Sequence, residues 1–262
     1  MEVIRTEMLQ KLSEFRFLFE ELTKRDFRKK YKRTMLGMLW SVLNPLLTLL
    51  IMRVVFTQFF GTKIPYYTTY LFAGNLVYSY FTEATNSGMY ALISNKDIFS
   101  KVNLPKYMFV LSANTSAFIN FMLTTCIFFV FAAIDGITFT WSFLFLLFPI
   151  LFLLAFNIGV SMILSAVNLF FQDTKYLYGI FTTLLMYLSA IFYRVESFPL
   201  AYQRLFMLNP VYVYIKFFRV VVIDGHLPSV AFFLLSMFYA LAVNLIGAMI
   251  YKKYNNRFLY YV

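Results

Sequence analysis

The side chains able to do chemistry are few, and their distribution is informative. There is one histidine, His226, and one cysteine, Cys126. One of each leaves almost no room for a zinc site or for Ser-His or Cys-His catalysis within a single chain. No G-x-x-x-x-G-K-[ST] stretch occurs, so no phosphate-binding loop is expected. What remains is a pattern of uncharged polar residues inside apolar segments. Asn75, Ser79, Thr82, Asn86 and Tyr90 recur at helical spacing, as do Ser112, Ser116, Asn120 and Thr124. Asn157, Ser161, Ser165, Asn168 and Gln172 form a third set, and Gly37, Ser41, Asn44 and Thr48 a fourth. Each set falls on one helical face. Amides and hydroxyls avoid lipid, so these faces turn toward neighbouring helices or toward a wet path. Helix–helix adhesion and a hydrophilic path account for them equally well. Arg53 and Glu83 are the clearest charges at the depth of an apolar run; Glu83 needs a partner or water.

The elements that must carry these residues are membrane helices. The 262 residues are 61% hydrophobic, 21% aromatic and only 13% charged, too little charge to cover a water-facing surface. The net charge is +11, yet ten of the 23 Lys and Arg precede Met35. That asymmetry fits the positive-inside pattern and argues against a nucleic-acid surface. Spanning takes about 20 apolar residues, and six runs qualify: roughly 35–60, 67–91, 107–134, 141–171, 176–193 and 229–251. Pro149 predicts a kink or tilt in the fourth. No cleavable signal peptide is expected, because the chain opens with mixed charge.

Lys and Arg favour the N-terminal segment, the 92–106 loop, the 172–175 loop and the tail. Both termini are therefore expected in the cytoplasm. Residues 3–22 carry an apolar stripe through Ile4, Leu9, Leu12, Phe15, Phe19 and Leu22. The stripe predicts an amphipathic helix, lying at the headgroups or packed on a partner. Residues 1–34 form this interface helix and its basic segment, and 35–262 the membrane domain. Between spans five and six, residues 194–228 are too apolar for a wet loop. Phe198–Met207 and Pro210–Val222 read as two short helices broken at Asn209-Pro210, a re-entrant hairpin in the outer leaflet or, as the alternative, two further spans making eight. The fold class is thus all-α: six transmembrane helices, an interfacial N-terminal helix and a re-entrant outer hairpin. Tyr66, Tyr67, Tyr70, Tyr176, Tyr178, Tyr187 and Tyr193 suit an interfacial belt or a sugar-stacking lining. The 92–106 loop, with apolar Ile98, Phe99 and Val102 among charges, is a candidate docking element.

Three stretches resemble a known family. RDFRKKYKRTMLGMLWSVLNP carries Arg25, Tyr31, Lys32, Thr34, Leu36, Gly37, Trp40 and Pro45. SNKDIFSKVNLPKYMFVLS carries Lys101-Val102 and Pro105-Lys106, with Leu104 and Lys106 where the family usually has an aromatic and Arg. FPLAYQRLFMLNPVYVYIKFFR carries Phe198-Pro199, Leu208-Asn209-Pro210 and Arg219. In this order they resemble permease subunits of ABC-type exporters of bacterial surface polysaccharides: O-antigen, capsule and teichoic acid. The resemblance implies a homodimer in the bacterial cytoplasmic membrane with two ATPase subunits beneath it. ATP and Mg are used by those partners and no cofactor is held by this chain. Coupling falls to Ser94, Asn95, Lys96, Asp97, Ile98, Phe99, Lys101, Val102, Pro105 and Lys106. The cargo is a lipid-linked glycan, whose anchor phosphates have Arg25, Arg28, Lys29, Lys30, Lys32 and Arg33 as candidates. Orientation of the first span is the plainer role for those bases. The expected path is Ser41, Asn44, Thr48, Tyr70, Asn75, Ser79, Thr82, Glu83, Asn86 and Tyr187. The outer gate is Phe198, Pro199, Arg204, Asn209, Pro210 and Arg219. Three rivals stay open: an exporter of a drug, lipid or peptide, a lipid-carrier enzyme with Glu83 or Asp97 as base, and a passive scaffold or channel.

Overall fold

The computed structural model describes residues 2–32, 34–60, 64–100 and 104–261, with side chains from Arg16 on except at 31, 57–60, 99, 259 and 260. All regular elements among these are helical. The helices are α1 (Glu2–Tyr31), α2 (Trp40–Phe60), α3 (Tyr67–Tyr90), α4 (Lys96–Phe99), α5 (Tyr107–Ile134), α6 (Leu147–Phe170), α7 (Thr174–Leu188), α8 (Leu200–Phe206), α9 (Pro210–Val222) and α10 (Val230–Tyr254). Short 3₁₀ turns at Gly37–Leu39, Ile93–Asn95, Trp141–Leu146, Val195–Ser197 and Arg257–Tyr261 lead into or follow them.

The outer surface is unlike that of a water-soluble protein. Asn114, Asn157, Ser161, Ser165 and Asn168 are buried, while Leu47, Ile51, Leu184, Phe238 and Leu245 face outward. Only a hydrocarbon solvent makes that arrangement favourable. The stretches Gly37–Phe56, Tyr107–Ile134, Trp141–Phe170 and Val230–Tyr254 are long and apolar enough to cross a membrane. Helices α8 and α9 together would make a fifth, but they meet at 106°. Helix α3 has the length, at 24 residues, but is too polar to qualify. Helix α7 has 15 residues, about 22 Å of rise against a hydrocarbon core of about 30 Å.

Local chemistry sets the breaks. Gly37 sits at φ 52, in the left-handed region, where the chain turns between α1 and α2. Pro149 falls in the first turn of α6, where a missing N–H costs nothing, just after the chain passes from a 3₁₀ turn into α-helix. Asn209 caps α9: its Oδ1 accepts from the N–H groups of Val211 and Tyr212, and Pro210 occupies the first helical position. At the same end of the bundle α3 has a cap in trans, with Asp135 Oδ2 accepting from Thr69 N at 3.0 Å and Thr69 Oγ1 at 2.6 Å. A carboxylate in that position also meets the positive end of the α3 dipole.

Helix α3 lies at the centre, packed on α2, α5, α6, α7 and α9. Its neighbour α6 packs most extensively on α10. Their backbones touch at Gly159, where a Cβ would lie 2.7 Å from Asn244 N. Asn244 Nδ2 donates to Ala155 O at 2.6 Å and Ser165 Oγ bonds Tyr251 Oη at 2.7 Å. Two serines of the α6 polar set are therefore engaged in helix contacts, since Ser161 Oγ likewise donates to Ala84 O at 3.2 Å. At the α1 end, Leu22, Leu92, Phe109, Leu169, Tyr251 and Phe258 form a separate apolar cluster.

Candidate functional site

The polar faces of α2, α3 and α5 converge on a cavity of about 440 Å³. Ser41, Asn44 and Thr48 line it from α2, Asn75, Ser79 and Glu83 from α3, and Asn120 and Thr124 from α5. Trp40, Tyr80 and Phe121 add aromatic walls. The spacing explains the convergence, since residues three and four apart share a face and each helix presents one such face. The lining is rich in amides and hydroxyls, and its charges are one base and one acid. It offers hydrogen bonds and ring faces without a fixed net charge.

The remaining expected path residues lie elsewhere. Thr82 Oγ1 donates to Tyr78 O at 3.1 Å and Asn86 Nδ2 to Thr82 O at 2.7 Å, so both bond the backbone of their own helix. Tyr187 is exposed on α7. Tyr70 is buried at the far end of α3, where its hydroxyl donates to Tyr193 O at 2.7 Å.

The acid and base of the cavity belong to each other. Lys30 Nζ, from the last turn of α1, reaches Glu83 Oε1 at 2.7 Å, and Asn120 Nδ2 donates to the same oxygen at 2.8 Å. Glu83 and Lys30 also line a second hollow of about 350 Å³ beneath α1, with Asp26, Ser87, Ser94 and Asn95. Further along α1, Arg25 pairs with Asp26 at 2.7 Å and donates to Asn95 Oδ1 at 2.6 Å. Ser112 Oγ donates to Asp26 Oδ2 at 2.9 Å. These bonds fasten α1 to α5 and to the 92–95 turn. Arg28, Lys29 and Lys32 line an open basic hollow beside them, together with Lys24, Arg25 and Glu21. Arg33 lies outside the described residues.

In the expected coupling element, Ser94, Lys96 and Asp97 are exposed, Asn95 is buried, and Ile98 packs against the apolar cluster at the α1 end. Pro105 is half-buried. Lys101 and Val102 lie outside the described residues, as does the Phe99 side chain. Lys106 is buried; its ammonium donates to Asn255 O and lies 5.9 Å from the Phe258 ring centre. Burial pushes its pKa below the ordinary lysine value. The tie to the C-terminal segment spans 149 positions, and no spacing in the sequence signals it.

At the opposite end, Arg219 of α9 is buried. Its guanidinium donates to Tyr70 O at 3.3 and 3.1 Å, to Ala190 O at 2.8 Å and to Ile191 O at 2.9 Å. It stacks 3.4 Å above the Tyr70 ring, and a Cβ at Gly74 would lie 2.8 Å from its Nη2. Ala190 holds a left-handed conformation, φ 51, within the turn whose carbonyls meet the guanidinium. Asn209 Nδ2 donates to Leu188 O at 3.2 Å and Ser189 Oγ at 3.0 Å. Arg219, Asn209 and the Pro210 start thus hold the α8–α9 hairpin to α3 and α7. Phe198 stacks on Phe206 and meets Tyr193 edge-on, while Pro199, just before α8, and Arg204 on it are exposed.

Among the described residues no three of His, Cys, Asp and Glu gather to hold a metal ion. An apolar-surfaced bundle with a hydrogen-bonding cavity defines a membrane protein of the transporter class. The chain belongs to the ABC-2 type transporter membrane family, whose profile matches residues 18–223. It is 28% identical over 247 residues to an O-antigen export system permease protein RfbA of Klebsiella pneumoniae, covering 92% of this chain and 95% of that relative. A second Klebsiella pneumoniae protein of the same name is 27% identical over 249 residues, covering 92% and 95%. The protein so named in Myxococcus xanthus is 26% identical over 226 residues, covering 85% and 86%. The chain is therefore the membrane subunit of an ABC-2 type transporter.

Proposed function

We propose that the chain is the membrane half of an exporter that carries a lipid-linked polysaccharide, of O-antigen, capsule or teichoic-acid type, across the bacterial cytoplasmic membrane. The observation that carries the reading is the cavity between α2, α3 and α5. It offers amides, hydroxyls and ring faces at membrane depth, contacts a passing sugar chain can exchange one for another. The relatives' name, O-antigen export permease, points to the same cargo.

In this reading α2, α3, α5, α6, α7 and α10 cross the membrane, α8 and α9 dip into the outer leaflet, and α1 lies at the cytoplasmic headgroups with both termini inside. Two ATPase subunits, using ATP and Mg, press on residues 94–106. Asn95 and Ile98 pass the push to α1 and to the apolar cluster beneath the bundle. A second copy of the chain meets the bare apolar face of α2, where Leu47, Leu50, Ile51 and Val54 are exposed. Arg25, Arg28, Lys29 and Lys32 receive the anchor's phosphates as point charges and forks. The hairpin closes the outer mouth. A general-base role for Glu83 fits poorly, because Lys30 and Asn120 already engage its carboxylate.

Thiol-directed crosslinking of nascent glycan tests the reading. In a Cys126→Ser background, Asn44→Cys and Ser79→Cys are expected to capture glycan during export, and Leu234→Cys, on the apolar exterior of α10, to capture none. Continued export with no adduct at either cavity position would refute this route.

A further inference from the structure

The cavity and the hollow beneath α1 share two lining residues, Lys30 and Glu83. Their ion pair is the wall between the two spaces. It joins the last turn of α1 to the middle of α3 across 53 positions, and Asn120 of α5 holds the carboxylate in place. We infer that this pair is a releasable strap: while it is made, α1 closes the cavity toward the hollow, and when it breaks the two join into one hydrophilic route running from the 94–95 turn into the membrane. The inference deepens the exporter reading by assigning how its cavity is opened from the α1 side.

Solvation separates this pair from a fixed anchor. The Lys30 and Glu83 side chains keep 43% and 32% of their exposure, so water screens the attraction and supports both charges once they part. Pairs so placed contribute little to stability. Arg219 is the opposite case, dry and held by carbonyls from two segments. The element that would move is also the one tied to the candidate coupling turn, since Arg25 bonds Asn95 five residues before Lys30. A displacement of the 93–95 turn therefore pulls on α1 near the strap. Gly37, at φ 52 just before α2, supplies a bend about which the end of α1 can swing.

Thiol accessibility in native membrane vesicles tests the strap without cargo or nucleotide. The full-length chain carries Cys126→Ser and a reporter, Ser79→Cys, inside the cavity. A membrane-impermeant maleimide is added from the α1 side. Lys30→Met and Glu83→Gln are each expected to raise the labelling rate about two- to five-fold, the population change that loss of a half-exposed pair allows. The charge exchange Lys30→Glu with Glu83→Lys is expected to return the rate toward that of the parent. Asn120→Ala, which keeps both charges, is expected to give a smaller rise. Unchanged labelling in the single variants, or an exchange variant as reactive as either single one, overturns the strap. Should labelling stay unchanged while glycan export continues, the strap alone fails. Should labelling respond as expected while no cavity cysteine captures glycan, the polysaccharide reading alone fails.

Discussion

Replacing Arg219 with methionine keeps the length and apolar stem of the side chain and removes its donors. Tyr70 O sits inside α3 and retains its helical partner, but Ala190 O and Ile191 O lose theirs. A buried carbonyl left bare costs about 1–3 kcal/mol, so the two together cost about 2–6. The cation–π contact with Tyr70 adds about 2 kcal/mol when desolvated, and release of the buried charge returns part of the total. A net loss of about 3 kcal/mol is expected. Arg219→Lys should lose about half of that, because an ammonium can reach one acceptor cluster but cannot stack flat in the space above Gly74 or fork between two segments. Equilibrium unfolding in mixed micelles reads the total. Protease cleavage within residues 194–209 reads the hairpin, which should become cleavable before the rest of the bundle opens. A methionine variant within 1 kcal/mol of the parent, with its hairpin still protected, would refute the view that these hydrogen bonds anchor α9.

The other expectations are smaller or more local. Asn209→Ala removes the α9 cap and the tie to Leu188 and Ser189, and should cost about 1 kcal/mol in the same titration. Gly159→Val drives carbon into the α10 backbone and should cost at least about 3 kcal/mol or abolish detergent-stable protein. By contrast Tyr251→Phe, which removes only one α6–α10 hydrogen bond, should cost about 0.6 kcal/mol. Phe258→Ala empties a fully buried ring from the cluster at the α1 end and should cost about 3–5 kcal/mol, read as a lowered midpoint and as new protease sensitivity of the tail.

What was legible beforehand followed from local spacing. The polar faces of α2, α3 and α5 and the break at Asn209-Pro210 depend on neighbours within one or two turns, and residue order displays these directly. Which polar set lines a cavity and which joins helices does not. Asn75 and Asn168 sit in similar patterns, yet one faces the cavity and the other donates to Met89 O at 3.3 Å. That distinction depends on which helix stands opposite, and nothing in either pattern encodes it. The strap, the trans cap from Asp135 and the Lys106 tie join residues 53, 66 and 149 positions apart. Nothing in the residues around Asp135 signals that it caps a helix 66 positions upstream.

Helix α3 brings these points together. Its composition is too polar to mark it as a span, yet most of its residues are buried. Both follow from one cause. A helix carrying Asn75, Ser79, Thr82, Glu83 and Asn86 cannot face hydrocarbon on that side without leaving donors and a charge unsolvated. That side is left half-open toward the cavity and the hollow beneath α1, while α5, α6 and α9 cover the other faces of the helix. Glu83 is the residue that packing alone does not satisfy. Its carboxylate needs a cation, and Lys30 comes from outside the bundle, on the helix best placed to move. The most polar helix thus has two unlike fastenings: the dry one at Arg219 holds it in place, and the wet one at Glu83 lets a neighbour go.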